Sequence, residues 1–213
     1  MPYDSEQFLL DYLARGSFPG FPLLKKIIGR GTIFADRKEL LGHSFKKYYN
    51  WILKDLDASV LDHVSRSIAD LIPDSHIETF AYFHDKGMPM SIISCGTADL
   101  CIPPLRHKNA SGFFSKVISN IFTFENNRIS GMDFHVLKGE DKVRHAQSLG
   151  LDPLKTIAVG DGYTDIPLLD WCGFPVLIDT HGRKRKKLSG KKYNFINSIP
   201  ELKNLITKLE MVK

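Results

Sequence analysis

Apolar residues recur at helical spacing through the first third of the chain and gather into short continuous runs beyond it. Residues 4–28 read as helical, with Phe8, Leu9, Tyr12 and Leu13 on one face and a Pro/Gly break over 17–22. Leu40, Leu41, Tyr48, Trp51, Ile52 and Leu56 predict two or three amphipathic helices over 37–71, with Asp57 or Ser59 as a cap. After Pro73 the texture changes. A helix over 76–85 stops at Gly87 and Pro89, and Met90-Ser91-Ile92-Ile93-Ser94 is β-prone, with a glycine break and a helix behind it. Residues 128–136 alternate like part of a hairpin, and 140–149 are helical up to Gly150. Strands follow at 156–159, 174–178 and 194–196, and helices at 165–171 and 199–209. Strands alternating with helices, the strands almost wholly apolar, predict an α/β fold with a parallel sheet. The helical first third is expected to be a separate cap.

Composition narrows the class. The chain has 213 residues, 43% hydrophobic and 25% charged, which excludes collagen and wholly disordered sequences. A net charge of +5 favours anionic ligands weakly, because it does not say where the charge sits. Cys95, Cys101 and Cys172 form neither a disulfide framework nor a zinc signature, so a reducing cytoplasm is expected. No apolar run approaches the roughly 20 residues that span a bilayer, and no membrane partner is expected.

The richest stretch is Thr156-Ile157-Ala158-Val159-Gly160-Asp161-Gly162-Tyr163-Thr164-Asp165. A buried strand ends at Gly160, and Asp161 follows at its C-terminal end, where open α/β sheets bind ligands. Asp165 lies four residues on. Two carboxylates on one loop suit a hard divalent cation such as Mg²⁺, although an ordinary strand–turn–helix would also carry Asp at both places. The run Gly182-Arg183-Lys184-Arg185-Lys186-Lys187-Leu188-Ser189-Gly190-Lys191-Lys192 is densely basic. Without aromatic interleaving it reads as a solvated loop that attracts phosphorylated substrates rather than as a nucleic-acid site. The histidines show no ligand spacing.

The Gly160–Asp165 run resembles the fourth motif of the haloacid dehalogenase (HAD) superfamily, in its phosphoserine-phosphatase-like branch. The resemblance makes Asp161 a direct Mg²⁺ ligand and has Asp165 orient metal-bound water or bind the metal indirectly. Met90 to Thr97 is similar to a second motif, with Ser94 on the transferring phosphoryl group and the backbone around Cys95 and Gly96 on its oxygens; the Cys95 side chain reads as packing. Leu137-Lys138-Gly139-Glu140-Asp141-Lys142-Val143 offers two candidates for the lysine of the third motif, Lys138 slightly ahead of Lys142. Residues 73–200 carry the resemblance, and Tyr3 to Leu10 resemble the stretch that follows the first motif. The implied fold is a HAD-like Rossmannoid parallel sheet over 1–9 and 73–213, with a helical cap over 10–72.

The first motif, a central strand ending in Asp-x-Asp-x-Thr, does not occur in this chain. Its first Asp is the family nucleophile. Asp55 and Asp57 have the spacing but no preceding strand, and Asp36 follows an apolar run; neither is favoured. The implied function is a Mg²⁺-dependent phosphomonoester hydrolase acting on a small phosphorylated metabolite, inactive in a chain without that strand. The alternative is a non-catalytic phosphate- or partner-binding relative.

Overall fold

The computed structural model describes residues 4–16, 21–37, 40–41 and 44–210. Four helices come first: α1 (Ser5–Ala14), α2 (Leu23–Arg37), α3 (Ser44–Leu53) and α4 (Ser59–Leu71). The helical stretch expected over 4–28 is therefore two elements, and most of the break, residues 17–20, lies outside the described residues. Asp4 caps α1 by accepting the Gln7 amide at 2.7 Å. At α4 the Asp57 carboxylate takes the Ser59 amide at 2.9 Å.

The buried face of α3 is Phe45, Tyr49, Ile52 and Leu53, not the stripe through Tyr48 and Trp51, each of which is 48% exposed. Two apolar faces compete on this short helix, and the one that meets Leu9 and Leu13 of α1 wins. The same core continues into Val60 and Val64 of α4 and on to Leu100, Phe122, Ile129 and Met132. The helical subdomain thus packs on the first strands of the α/β part, and a cap boundary between residues 9 and 10 falls inside α1.

The α/β part runs α5 (Asp74–Asp85), β1 (Met90–Thr97), α6 (Ala98–His107), β2 (Phe114–Glu125), β3 (Arg128–Asp133), α7 (Gly139–Ser148), β4 (Ile157–Gly160), α8 (Ile166–Trp171), β5 (Phe174–Ile178), α9 (Arg183–Lys187), β6 (Asn194–Ile196) and α10 (Glu201–Glu210). Its strands form two three-stranded sheets, β1-β2-β3 and β4-β5-β6. Pairing is parallel except for the β2–β3 hairpin. β1 and β4 each pair on one side only, so each keeps a free edge. Helix α7 packs against both β1 and α8 and so bridges the two sheets. The basic run expected as a loop carries the short helix α9, because the buried Asp179 carboxylate accepts the Arg185 amide at 2.7 Å and fixes its first turn. Among the described residues no helix is long and apolar enough to cross a membrane.

Candidate active site

The end of β1 leaves its ladder. Ile93 pairs with Ile118 but Thr97 with Asn120, so residues 94–96 bulge outward. Two side chains of β2 hold the bulge by its carbonyls: Ser119 donates to Gly96 O at 2.7 Å, and Asn120 Nδ2 donates to Cys95 O at 2.8 Å. The Gly96 N–H donates to Ser94 Oγ at 3.0 Å, which leaves the Ser94 hydroxyl proton free to donate. Ser5, at the start of α1, stands over the same loop; a Cβ on Gly96 would lie 3.8 Å from its Oγ.

Asn120 was not signalled by the sequence. It is fully buried, and its Oδ1 also accepts the His135 and Val136 amides at 2.9 and 3.0 Å. One amide therefore fastens the bulge to the segment that leads into α7.

The end of β4 is built around Asp165. Its Oδ2 accepts the amides of Asp161 and Gly162 at 2.9 and 2.8 Å, and its Oδ1 takes Lys142 Nζ at 2.5 Å. Gly160 is required here, since a Cβ would sit 2.3 Å from that of Asp165. Asp161 is exposed, and its carboxylate takes no hydrogen bond or ion pair among the described residues.

Of the two candidate lysines, Lys142 reaches this cluster. Lys138 is exposed at the N-cap of α7 and lines a surface depression with Phe134, His135 and Arg144. The reason is Gly139. A Cβ there would lie 2.6 Å from Pro167 and 2.7 Å from the Thr164 carbonyl, so α7 lies hard against the Asp165 turn and points its next turn, Lys142, inward.

The two strand ends share one electrostatic neighbourhood. Burial pushes the Cys95 thiol up, while Lys142, Lys46 and the Thr164 hydroxyl pull it back. Ser94, Cys95, Gly96, Lys142 and Asp165 thus gather where β1 and β4 end, with Asp161 at the rim.

A second polar group adjoins them, and it too was missed. Lys46 of α3 and Glu6 of α1 form a buried ion pair at 2.5 Å, and Gln7 Nε2 donates to Asp36 at 2.7 Å. Burial pushes the Glu6 carboxyl up to about 7 against the pull of Lys46. One signal was available: Lys46 falls on the helix face of Tyr49 and Leu53, where a lysine needs a partner. Asp36 belongs to this group, and Asp55 and Asp57 lie in the turn between α3 and α4 beside β3; none of the three follows a strand.

No group of three or more His, Cys, Asp or Glu gathers among the described residues. The donors on offer are the free carboxylate of Asp161 with Asp165 behind it. Mg²⁺, which keeps several waters and takes one or two carboxylates, fits so sparse a set, whereas a structural zinc would not.

The chain thus combines an α/β fold and a helical subdomain with a serine-bearing bulge at one strand end and an Asp–Lys pair at another. The haloacid dehalogenase-like hydrolase family model matches residues 1–170, and the chain belongs to that family. No curated protein matches the chain. A solved substrate-bound phosphoserine phosphatase complex is 16% identical, with a TM-score of 0.65 over 96% of this chain and 90% of that one. A protein of unknown function from Bordetella pertussis Tohama I reaches a TM-score of 0.73 at 15% identity, covering 92% and 93%. A phosphoserine phosphohydrolase-like protein from Francisella tularensis subsp. tularensis SCHU S4 reaches 0.69 at 18% identity, covering 95% and 92%. At these identities the likeness is one of fold.

Proposed function

We propose that this chain is the phosphate-binding body of a Mg²⁺-dependent phosphomonoester hydrolase acting on a small phosphorylated metabolite. The observation that carries the reading is the meeting of Ser94, Gly96, Lys142 and Asp165 at the ends of two strands that each keep a free edge. The Ser94 hydroxyl and the backbone of the bulge bind phosphate oxygens. Lys142 offsets their charge and holds Asp165, which fixes the loop that presents Asp161. Mg²⁺ at Asp161 would neutralise further charge on the ester.

Phosphoryl transfer also needs an in-line nucleophile. Among the described residues the carboxylates at the β4 end, Asp161 and Asp165, are assigned to the metal, and Asp36, Asp55 and Asp57 follow no strand. That favours a second reading, a non-catalytic phosphate-binding relative, for the chain by itself. In the enzyme reading the nucleophile arrives on a strand seated between β1 and β4, whose free edges suit it.

The test is Mg²⁺-dependent phosphate release from an aryl phosphate. The 213-residue chain is expected at background. The chain joined behind an apolar strand ending in Asp-x-Asp-x-Thr is expected to gain at least about a thousandfold. Turnover by the chain alone that Asp36→Asn or Asp55→Asn abolishes would overturn this reading. A folded but equally inactive extended protein would support the non-catalytic one.

A further inference from the structure

The charge of this protein is concentrated in one place. Residues 183–192 hold seven of the 29 Lys and Arg, and no Asp or Glu lies between Asp179 and Glu201. Without that run the chain has 22 basic against 24 acidic residues. Part of the run is spoken for. Lys191 pairs with Asp170 at 2.6 Å, and Arg185 lies over the Phe195 ring, 5.3 Å from its centroid. Arg183, Lys186 and Lys192 are exposed, with no carboxylate in ion-pair reach among the described residues.

The run is also joined to the site. Lys187 Nζ donates to Tyr163 Oη at 3.3 Å and lies 5.8 Å from the centre of its ring. Tyr163, 42% exposed, opens the turn Tyr163–Asp165 and so belongs to the loop that bears Asp161 and Asp165. With Asp179 filling the amide end of α9, the side chains are what the helix offers to an anion.

We propose that α9 and Tyr163 form a second anion subsite beside the phosphate site, so that the favoured substrate is a phosphomonoester carrying at least one further phosphate. The proposal rests on the phosphate-site reading above. The size of the patch sets the partner. Five helical residues span only about 7 Å, room for one or two phosphates. Duplex DNA is held through a track of roughly 6–10 phosphate contacts.

The test is calorimetric binding to the 213-residue chain with Mg²⁺, using glucose 6-phosphate and fructose 1,6-bisphosphate as probes. The bisphosphate should bind roughly tenfold tighter, the worth of one added charge-assisted contact. Arg183→Glu with Lys186→Glu, far from the site loop in sequence and exposed, should bring the ratio to about one and leave glucose 6-phosphate unchanged. Asp165→Asn should weaken both ligands together and keep the ratio. Equal affinities in the wild type, with monophosphate binding intact, would overturn the subsite alone. No binding of glucose 6-phosphate, with or without Mg²⁺, would overturn the phosphate site and the subsite with it. A 5′-phosphorylated trinucleotide that binds the patch without competition from inorganic phosphate would overturn the link to the site and leave the phosphate-site reading standing.

Discussion

The core of the helical third and the edge strands β1 and β4 differ in how completely they are buried. Leu9, Leu13, Tyr49, Ile52, Leu53, Val60 and Val64 have no exposed surface. In β1, by contrast, only Thr97 of eight residues is buried, and Val159 of β4 stands 37% exposed. The cause is the backbone. A helix satisfies its own amides and carbonyls and needs only an apolar neighbour, whereas a strand needs a second chain segment on each side. The helices satisfy their backbones with the residues at hand, although α2 leaves Leu23, Leu24, Ile27 and Phe34 60–73% exposed; the two sheets each keep an open flank, and the candidate site lies at the ends of the flanking strands.

Substitutions at matched positions sharpen the contrast. Leu13→Ala, in the helical core, is expected to cost about 2–5 kcal/mol in urea unfolding. Ile92→Ala on the open edge of β1 is expected to cost less than about 1 kcal/mol, rising when a strand is seated beside it. Equal costs would break the comparison.

The buried Glu6–Lys46 pair is the weak point of the well-packed half. The Glu6 carboxyl is raised from its ordinary 4.5 to about 7, so the folded state holds a proton that the unfolded chain releases. Stability contributed by this group is therefore present in full below about pH 4.5 and is lost as pH rises to about 7 and beyond, by up to about 3 kcal/mol. Glu6→Gln should flatten the pH dependence of unfolding between pH 5 and 8; an unchanged slope would assign it elsewhere.

A smaller effect is expected at the site. Lys142→Met should cost about 2 kcal/mol, because Asp165 keeps two amide donors, and should speed amide exchange at Asp161 and Gly162. Smallest of all, Lys191→Ala removes an exposed pair with Asp170 and should change stability by less than about 1 kcal/mol.

Much of this was legible from the chain. The Gly160–Asp165 loop could be read because each residue type there answers a local need: an apolar strand, a glycine under Asp165, a carboxylate to receive two amides. β2 was not read, because it serves two partners and its alternation fails near the buried Asn120 where it passes from one to the other. The choice of Lys142 over Lys138 depended on how closely Gly139 approaches Pro167, a contact across the fold that spacing does not record. The pairing of Glu6 with Lys46 is likewise a contact between two helices 40 residues apart.

The turn between α3 and α4 is stitched to the hairpin by backbone bonds. Asp55 N donates to Ile129 O at 2.8 Å, Ile129 N to Leu56 O at 2.9 Å and Ala58 N to Asn127 O at 2.9 Å. These bonds close loops of about 70 residues, and ring closure of that size costs about 4 kcal/mol of chain entropy before any contact repays it. The hairpin side of the seam is built from contacts far nearer in sequence. The expected order in folding is hairpin and helices first and the seam between them last, so that weakening the seam by Leu56→Ala should slow refolding in stopped-flow measurements more than it speeds unfolding.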